Sequence, residues 1–207
     1  MGLAHQFDGY DRSKPKVYAG EYACHVEDKA NSLFSALCEA ACMMGFERNC
    51  DVVEMSSYAP LFGKIGCEQW KPDLIWFDNL RAFTTPNYHV QKMFGNNLPS
   101  VYIPSAQFGE VADFHQVCGF DKATGEYVVK CVNLAADHAL DLVVDFGVEL
   151  PAGKIKVETL TGNPKVVNDM ENPVRCRPES KSVAFAGGRE FKTSLPASSL
   201  TIIRAKE

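Results

Sequence analysis

The stretch Lys16-Val17-Tyr18-Ala19-Gly20-Glu21-Tyr22-Ala23 decides how the chain is read. Val17, Tyr18 and Ala19 favour a buried strand, Gly20 removes a side chain where the backbone opens, and Glu21 falls at the strand's end. Parallel α/β folds place their chemistry at the carboxyl ends of strands, so Glu21 is a catalytic candidate. Strand-end carboxylates are also common, and on this pattern alone an ordinary loop glutamate is the commoner reading.

Downstream, a polar link from His25 to Ala30 leads to Asn31, which the spacing predicts as a helix N-cap. Leu33, Phe34, Leu37, Ala41 and Met44 recur at helical spacing, and Gly45 stands where that helix is expected to stop. Val52 to Met55 predicts a second buried strand. The order strand, helix, strand implies a parallel pair joined by a crossover, with Glu54 as a second carboxylate candidate. Ser56 to Asn79 reads as a long irregular loop carrying Tyr58, Trp70, Trp76 and Phe77. Loops of that length are usually functional; their aromatics can stack on sugar rings, with core packing the alternative for each. Thr85 and Pro86 predict the cap and first position of another helix, with Tyr88, Val90, Met93 and Phe94 on its apolar side before Gly95. The chain is therefore α/β up to about residue 97.

Beyond Leu98 the composition changes. Short apolar runs appear at Val101–Ile103, Phe114–Phe120, Tyr127–Val132, Leu140–Phe146, Ile155–Leu160, Val183–Phe185 and Leu200–Ile203. Lys122-Ala123-Thr124-Gly125, Pro151-Ala152-Gly153 and Gly187-Gly188 punctuate them as turns. Alternation in Lys154-Ile155-Lys156-Val157-Glu158 gives one wet and one buried face. This is the pattern of an all-β antiparallel sandwich.

The 207 residues, 46% hydrophobic, suffice for one large domain or two small ones. A net charge of -5 and a pI near 5.6 supply no basic stripe, which argues against nucleic acid and anionic membranes as partners. No apolar run reaches the length of a membrane span, and the polar start, Met1 to Asp11, is not a secretory signal. Eight cysteines include no CxxC pair; Cys38 and Cys42, four apart on the first helix, read as small buried hydrophobes rather than metal ligands. The five histidines are scattered, so no metal site and no cofactor is read.

Taken in order, Gly20-Glu21-Tyr22-Ala23, Ala36-Leu37-Cys38-Glu39-Ala40-Ala41, Gly45-Phe46-Glu47-Arg48-Asn49 and Ser57-Tyr58-Ala59-Pro60-Leu61-Phe62 closely resemble the C-terminal portion of family 51 glycoside hydrolases, the α-L-arabinofuranosidases. Trp76-Phe77-Asp78-Asn79, Thr85-Pro86-Asn87-Tyr88 and the closing Ser194 to Thr201 continue the likeness over nearly the whole chain.

The resemblance implies a fold and a chemistry. Residues 1–97 would be the end of a (β/α)₈ or TIM barrel, its last two βα units, and residues 98–207 the C-terminal β-sandwich. The activity would be retaining removal of terminal arabinofuranose from plant polysaccharides, so the partner is an arabinose-containing oligo- or polysaccharide. Glu21 then matches the nucleophile, and Trp70 and Asp73 match sugar contacts from the loop after the eighth strand. The family's acid/base glutamate follows an asparagine, and no Asn-Glu pair occurs in this chain. Glu54 is not a residue the family uses, and Glu47 with Arg48 is expected to form a structural ion pair on the helix. The chain is thus expected to be inactive alone, with self-association through residues 16–97 or packing on the sandwich covering its open barrel edges. The alternative is a non-catalytic carbohydrate-binding or interaction sandwich. The compartment of the parent is left open.

Overall fold

Two parallel strands, β1 (Val17–Tyr22) and β2 (Val53–Tyr58), are joined by the helix α1 (Leu33–Arg48) in a computed structural model that describes residues 2–109 and 111–207. Ser32, one residue after the expected cap, closes the N-terminus of α1: its hydroxyl accepts the Ser35 N–H at 3.3 Å. The helix does not stop at Gly45 but continues to Arg48. A Cβ on Gly45 would lie 2.4 Å from the Ala4 carbonyl oxygen, so that glycine admits the N-terminal segment against the helix.

The expected long loop after β2 is partly ordered into a small sheet. Its strands are β3 (Phe62–Lys64), β4 (Ile75–Phe77) and β5 (Ala82–Thr84), in that order across the sheet. Three-residue strands without a clear alternation leave little trace in the sequence. The helix α2 (Pro86–Asn96) follows as expected, capped by Thr85, whose hydroxyl accepts the Tyr88 N–H at 3.1 Å and donates to the Leu74 carbonyl at 2.8 Å.

Strands β6 (Val101–Ile103), β7 (Phe114–Asp121), β8 (Glu126–Asn133), β9 (Leu140–Leu150), β10 (Gly153–Thr161), β11 (Glu179–Phe185), β12 (Gly188–Leu195) and β13 (Ser199–Lys206) complete the chain. Six form an antiparallel sheet in the order β11-β10-β13-β8-β7-β6, and β9 pairs with β12 in a second sheet. β12 has no apolar run of its own; only Phe191 and Leu195 of Gly188–Leu195 are buried, and the intervening positions are charged or polar.

The large sheet is buried on both faces over its middle. Val129, Cys131, Val157 and Ile203 meet Val144, Phe191 and Leu195 of the two-stranded sheet. On the other face Val117, Val128, Val132, Leu160, Leu200 and Ile202 receive Leu33, Leu37 and Met44 of α1 with Val90, Met93 and Phe94 of α2. Burial on both faces is why β8 reads as an apolar run from Tyr127 to Val132 broken only at Lys130; the one-wet-face alternation is kept on β10 at Lys154 and Lys156. Each fully buried leucine or methionine in the helix layer is worth roughly 1.5–3 kcal/mol, so the helices gain much of their stability from the sandwich. The cluster draws side chains from both sides of residue 97.

Candidate active site

Glu21 is the penultimate residue of β1, exposed, and its carboxylate has no hydrogen-bond or ion-pair partner among the described residues. Successive strand side chains point to opposite faces. Tyr22 is half-buried, with its hydroxyl donating to Gln91 Oε1 of α2 at 2.7 Å and its ring edge-on to Tyr58 at 5.7 Å. Below them Tyr18 and Met55, register partners across the pair, are 56% and 61% exposed, an apolar strip on an open strand pair.

Glu54 is exposed on β2 but too far down it to act with Glu21. Tyr22 pairs with Tyr58, so Glu21 lies one residue from that level and Glu54 four. A three-residue offset is about 10 Å along a strand, whereas retaining glycoside hydrolysis needs carboxyl groups about 5 Å apart.

Under the strand ends lies a buried polar cluster whose members come from distant parts of the chain. Asn31, expected to cap the helix, instead donates to Asn87 Oδ1 and accepts from Trp76 Nε1, both at 3.2 Å. Asn87 in turn donates to the Ser35 hydroxyl at 3.2 Å. Glu39 is buried on α1, and its Oε1 accepts the Cys24 backbone N–H, just past β1, at 2.9 Å. Glu39 Oε2, the Tyr58 hydroxyl and Gln91 Nε2 are buried without a hydrogen-bond partner. Sequence reasoning passed over Glu39, although a lone carboxylate within the apolar run Ala36 to Ala41 was a visible signal.

Burial pushes the Glu39 carboxyl up to about 8, partly opposed by the Cys24 amide, and the Tyr22 phenol up to about 12. A free glutamate titrates near 4.5, so the folded chain binds this proton more tightly than the unfolded one. Its contribution to stability is complete below that value and is lost as the pH rises through 8, by up to about 5 kcal/mol. Glu39→Gln keeps an acceptor for Cys24 and cannot ionise. Urea unfolding of this variant should show the decline between about pH 5 and pH 8 removed; an unchanged slope would assign the titration to another group.

The connection from β3 to β4 carries Trp70, 68% exposed, and Asp73, 2% exposed. Asp73 Oδ2 has no partner, and burial together with the charge of Glu68 raises its carboxyl pKa. A Cβ on Gly63 would come within 2.7 Å of that oxygen, so the glycine makes room for the carboxyl beneath β3. No hydrogen bond or ion pair links Trp70 or Asp73 to Glu21 among the described residues. Glu47 and Arg48 do not pair with each other, because neighbours on a helix point about 100° apart. Glu47 pairs with Lys130 of β8, and Arg48 binds Asp8 through Nε at 3.0 Å and Nη2 at 3.1 Å. Among the described residues no cluster of three His, Cys, Asp or Glu is arranged to hold a metal, and no helix is long and apolar enough to cross a membrane.

This arrangement of elements is shared with solved arabinofuranosidases. The structure of arabinose-bound MgGH51 α-L-arabinofuranosidase superposes with a TM-score of 0.89 at 26% identity, over 98% of this chain and 34% of that one. The α-L-arabinofuranosidase of Thermotoga maritima shares the fold, with a TM-score of 0.79 at 16% identity over 93% of this chain and 43% of that one. Residues 18–199 match the model of the α-L-arabinofuranosidase C-terminal domain, and the chain belongs to that family. Alpha-L-arabinofuranosidase 1 of Arabidopsis thaliana is 32% identical over 193 residues, covering 90% of this chain and 28% of the relative. The extracellular exo-alpha-L-arabinofuranosidase of Streptomyces chartreusis is 47% identical over 100 residues, 48% of this chain and 12% of its own length. The chain thus spans less than a third of these two curated relatives.

Proposed function

We propose that this chain is the C-terminal part of a retaining α-L-arabinofuranosidase that supplies the nucleophile, Glu21, and does not turn over substrate alone. The observation that carries this reading is Glu21 itself, an exposed carboxylate, unpaired among the described residues, at the end of a parallel strand with Glu54 offset from it by about 10 Å. Retention requires one carboxylate to attack the anomeric carbon while a second carboxylic acid protonates the leaving oxygen and then activates water. On this reading the second group comes from preceding strands of the same barrel, of which β1 and β2 are the last two. The open Tyr18–Met55 strip supports that placement, since neighbouring strands would cover it. Substrate is an arabinose-containing oligo- or polysaccharide, with the exposed Trp70 as a stacking surface and Asp73 as a polar contact if the loop opens.

The test is hydrolysis of p-nitrophenyl α-L-arabinofuranoside by the 207-residue chain and by the longer protein. Turnover is expected only from the longer protein. Robust turnover by the chain alone would refute the division of carboxylates, and a longer protein selective for another aryl glycoside would refute the sugar.

A further inference from the structure

The strand ladder holds the backbone loosely at Glu21. Pairing of β1 with β2 slips in register between Ala19 and Tyr22, the interval that contains Glu21, and the next bond, from the Ala59 N–H to the Tyr22 carbonyl, is 3.3 Å long. Two helix side chains take hold just beyond. The Tyr22 hydroxyl donates to Gln91 Oε1 of α2 at 2.7 Å, and the Cys24 backbone N–H donates to Glu39 Oε1 of α1 at 2.9 Å. Glu39 and Gln91 each lie one turn beyond a member of the bonded pair Ser35 and Asn87, and both helices are seated on the large sheet through Leu37, Val90 and Phe94. Stability alone does not account for this cluster. Glu39 Oε2, the Tyr58 hydroxyl and Gln91 Nε2 are buried without a partner among the described residues, a cost that an apolar side chain at position 39 would not carry.

We propose that Glu39 and Gln91 are positioning residues for Glu21: they tie the backbone on its C-terminal side to two helices anchored on the sandwich, and so hold the carboxylate in line with the anomeric carbon. The proposal rests on the reading of Glu21 as the nucleophile. An attacking group misplaced by about 1 Å costs roughly 10²-fold in rate, so a strand end with a slipped ladder needs such ties. Each tie acts at a different residue, Tyr22 or Cys24, and from a different helix. Together they fix both the height of the strand end and its direction of exit, and they give the sandwich a part in the chemistry as the base to which Glu21 is referenced.

Hydrolysis of p-nitrophenyl α-L-arabinofuranoside by the longer protein is measured well below the Tm of each variant. Glu39→Ala and Gln91→Ala are expected to lower kcat by about 10²-fold with KM within about threefold, because attack is misaligned while the sugar contacts stay. Glu39→Gln keeps the acceptor for Cys24 and should return kcat to within about threefold of the unmutated protein. Ile203→Ala is the control for lost stability, since Ile203 is fully buried on the opposite face of the large sheet. It should lower Tm and leave kcat within about twofold. If Glu39→Ala does not fold, Gln91→Ala decides alone. The proposal is overturned if kcat of the alanine variants stays within about threefold, if Ile203→Ala slows the reaction as much, or if Glu39→Gln is as slow as Glu39→Ala. A fully active Glu21→Ala would instead overturn the nucleophile reading on which the proposal stands.

Discussion

Glu21→Ala in the longer protein should lower kcat/KM on an aryl arabinofuranoside by about 10⁴-fold or more because, on the proposed reading, it removes the group that forms the covalent intermediate. The same change should leave stability within about 0.5 kcal/mol, since Glu21 is exposed and bonds to nothing in the described structure. Loss of activity with an unchanged Tm separates a chemical role from a structural one. Azide should then restore product release. A small anion occupying the vacated space attacks the anomeric carbon directly, so the glycosyl azide formed has inverted configuration. An azide product of retained configuration would identify Glu21 as the acid/base, and a fully active Glu21→Ala variant would remove it from the chemistry altogether.

Lys130→Ala should destabilise the chain by about 3–5 kcal/mol. Lys130 is in the middle of β8, 1% exposed, with its ammonium group paired to Glu47 of α1 and 4.4 Å above the centre of the Phe94 ring on α2. Burial disfavours both charges, lowering the Lys130 pKa and raising that of Glu47, and each partner opposes the shift of the other. Removing the lysine strands a buried carboxylate, one oxygen of which already lacks a partner, and opens a void against Phe94. The double variant Lys130→Met with Glu47→Leu removes both charges and keeps the volume. It should recover most of the loss, because the pair itself gains little over a well-packed apolar contact. Urea unfolding of the two singles and the double gives the coupling; a Lys130→Ala cost under about 1 kcal/mol would mean that water reaches the pair.

Much of the β-half was legible because burial on one or both faces writes apolar runs into the strands; the ends of β6 coincide with the run Val101–Ile103. β12 was not, since its charged positions face away from the core and only Phe191 and Leu195 mark it. The helix N-caps were readable to within a residue, but the first helix runs past its expected stop, and Gly45 could not announce that it packs against Ala4, a contact made across 41 positions of chain. The candidate site was legible in a different way. Glu21 stood out only through its likeness to a family, whereas periodicity treated it as ordinary. Asn31, Glu39 and Asn87 form one cluster beneath it, yet their partners lie 15 to 56 residues apart, and no local pattern encodes such pairing.

The place of β13 in the large sheet sets an order of events during synthesis. Domains emerge from the ribosome with their N-terminal parts first. β13, the last strand in chain order, is flanked by β10 and β8 and carries Leu200 and Ile202 into the layer beneath α1 and α2. The segment bearing Glu21 is therefore translated before β13, and its supporting helix has a complete seat only once that strand has followed. Premature termination before Ser199 would not trim an edge; it would cut the sheet through its middle and remove part of the floor beneath α1 and α2.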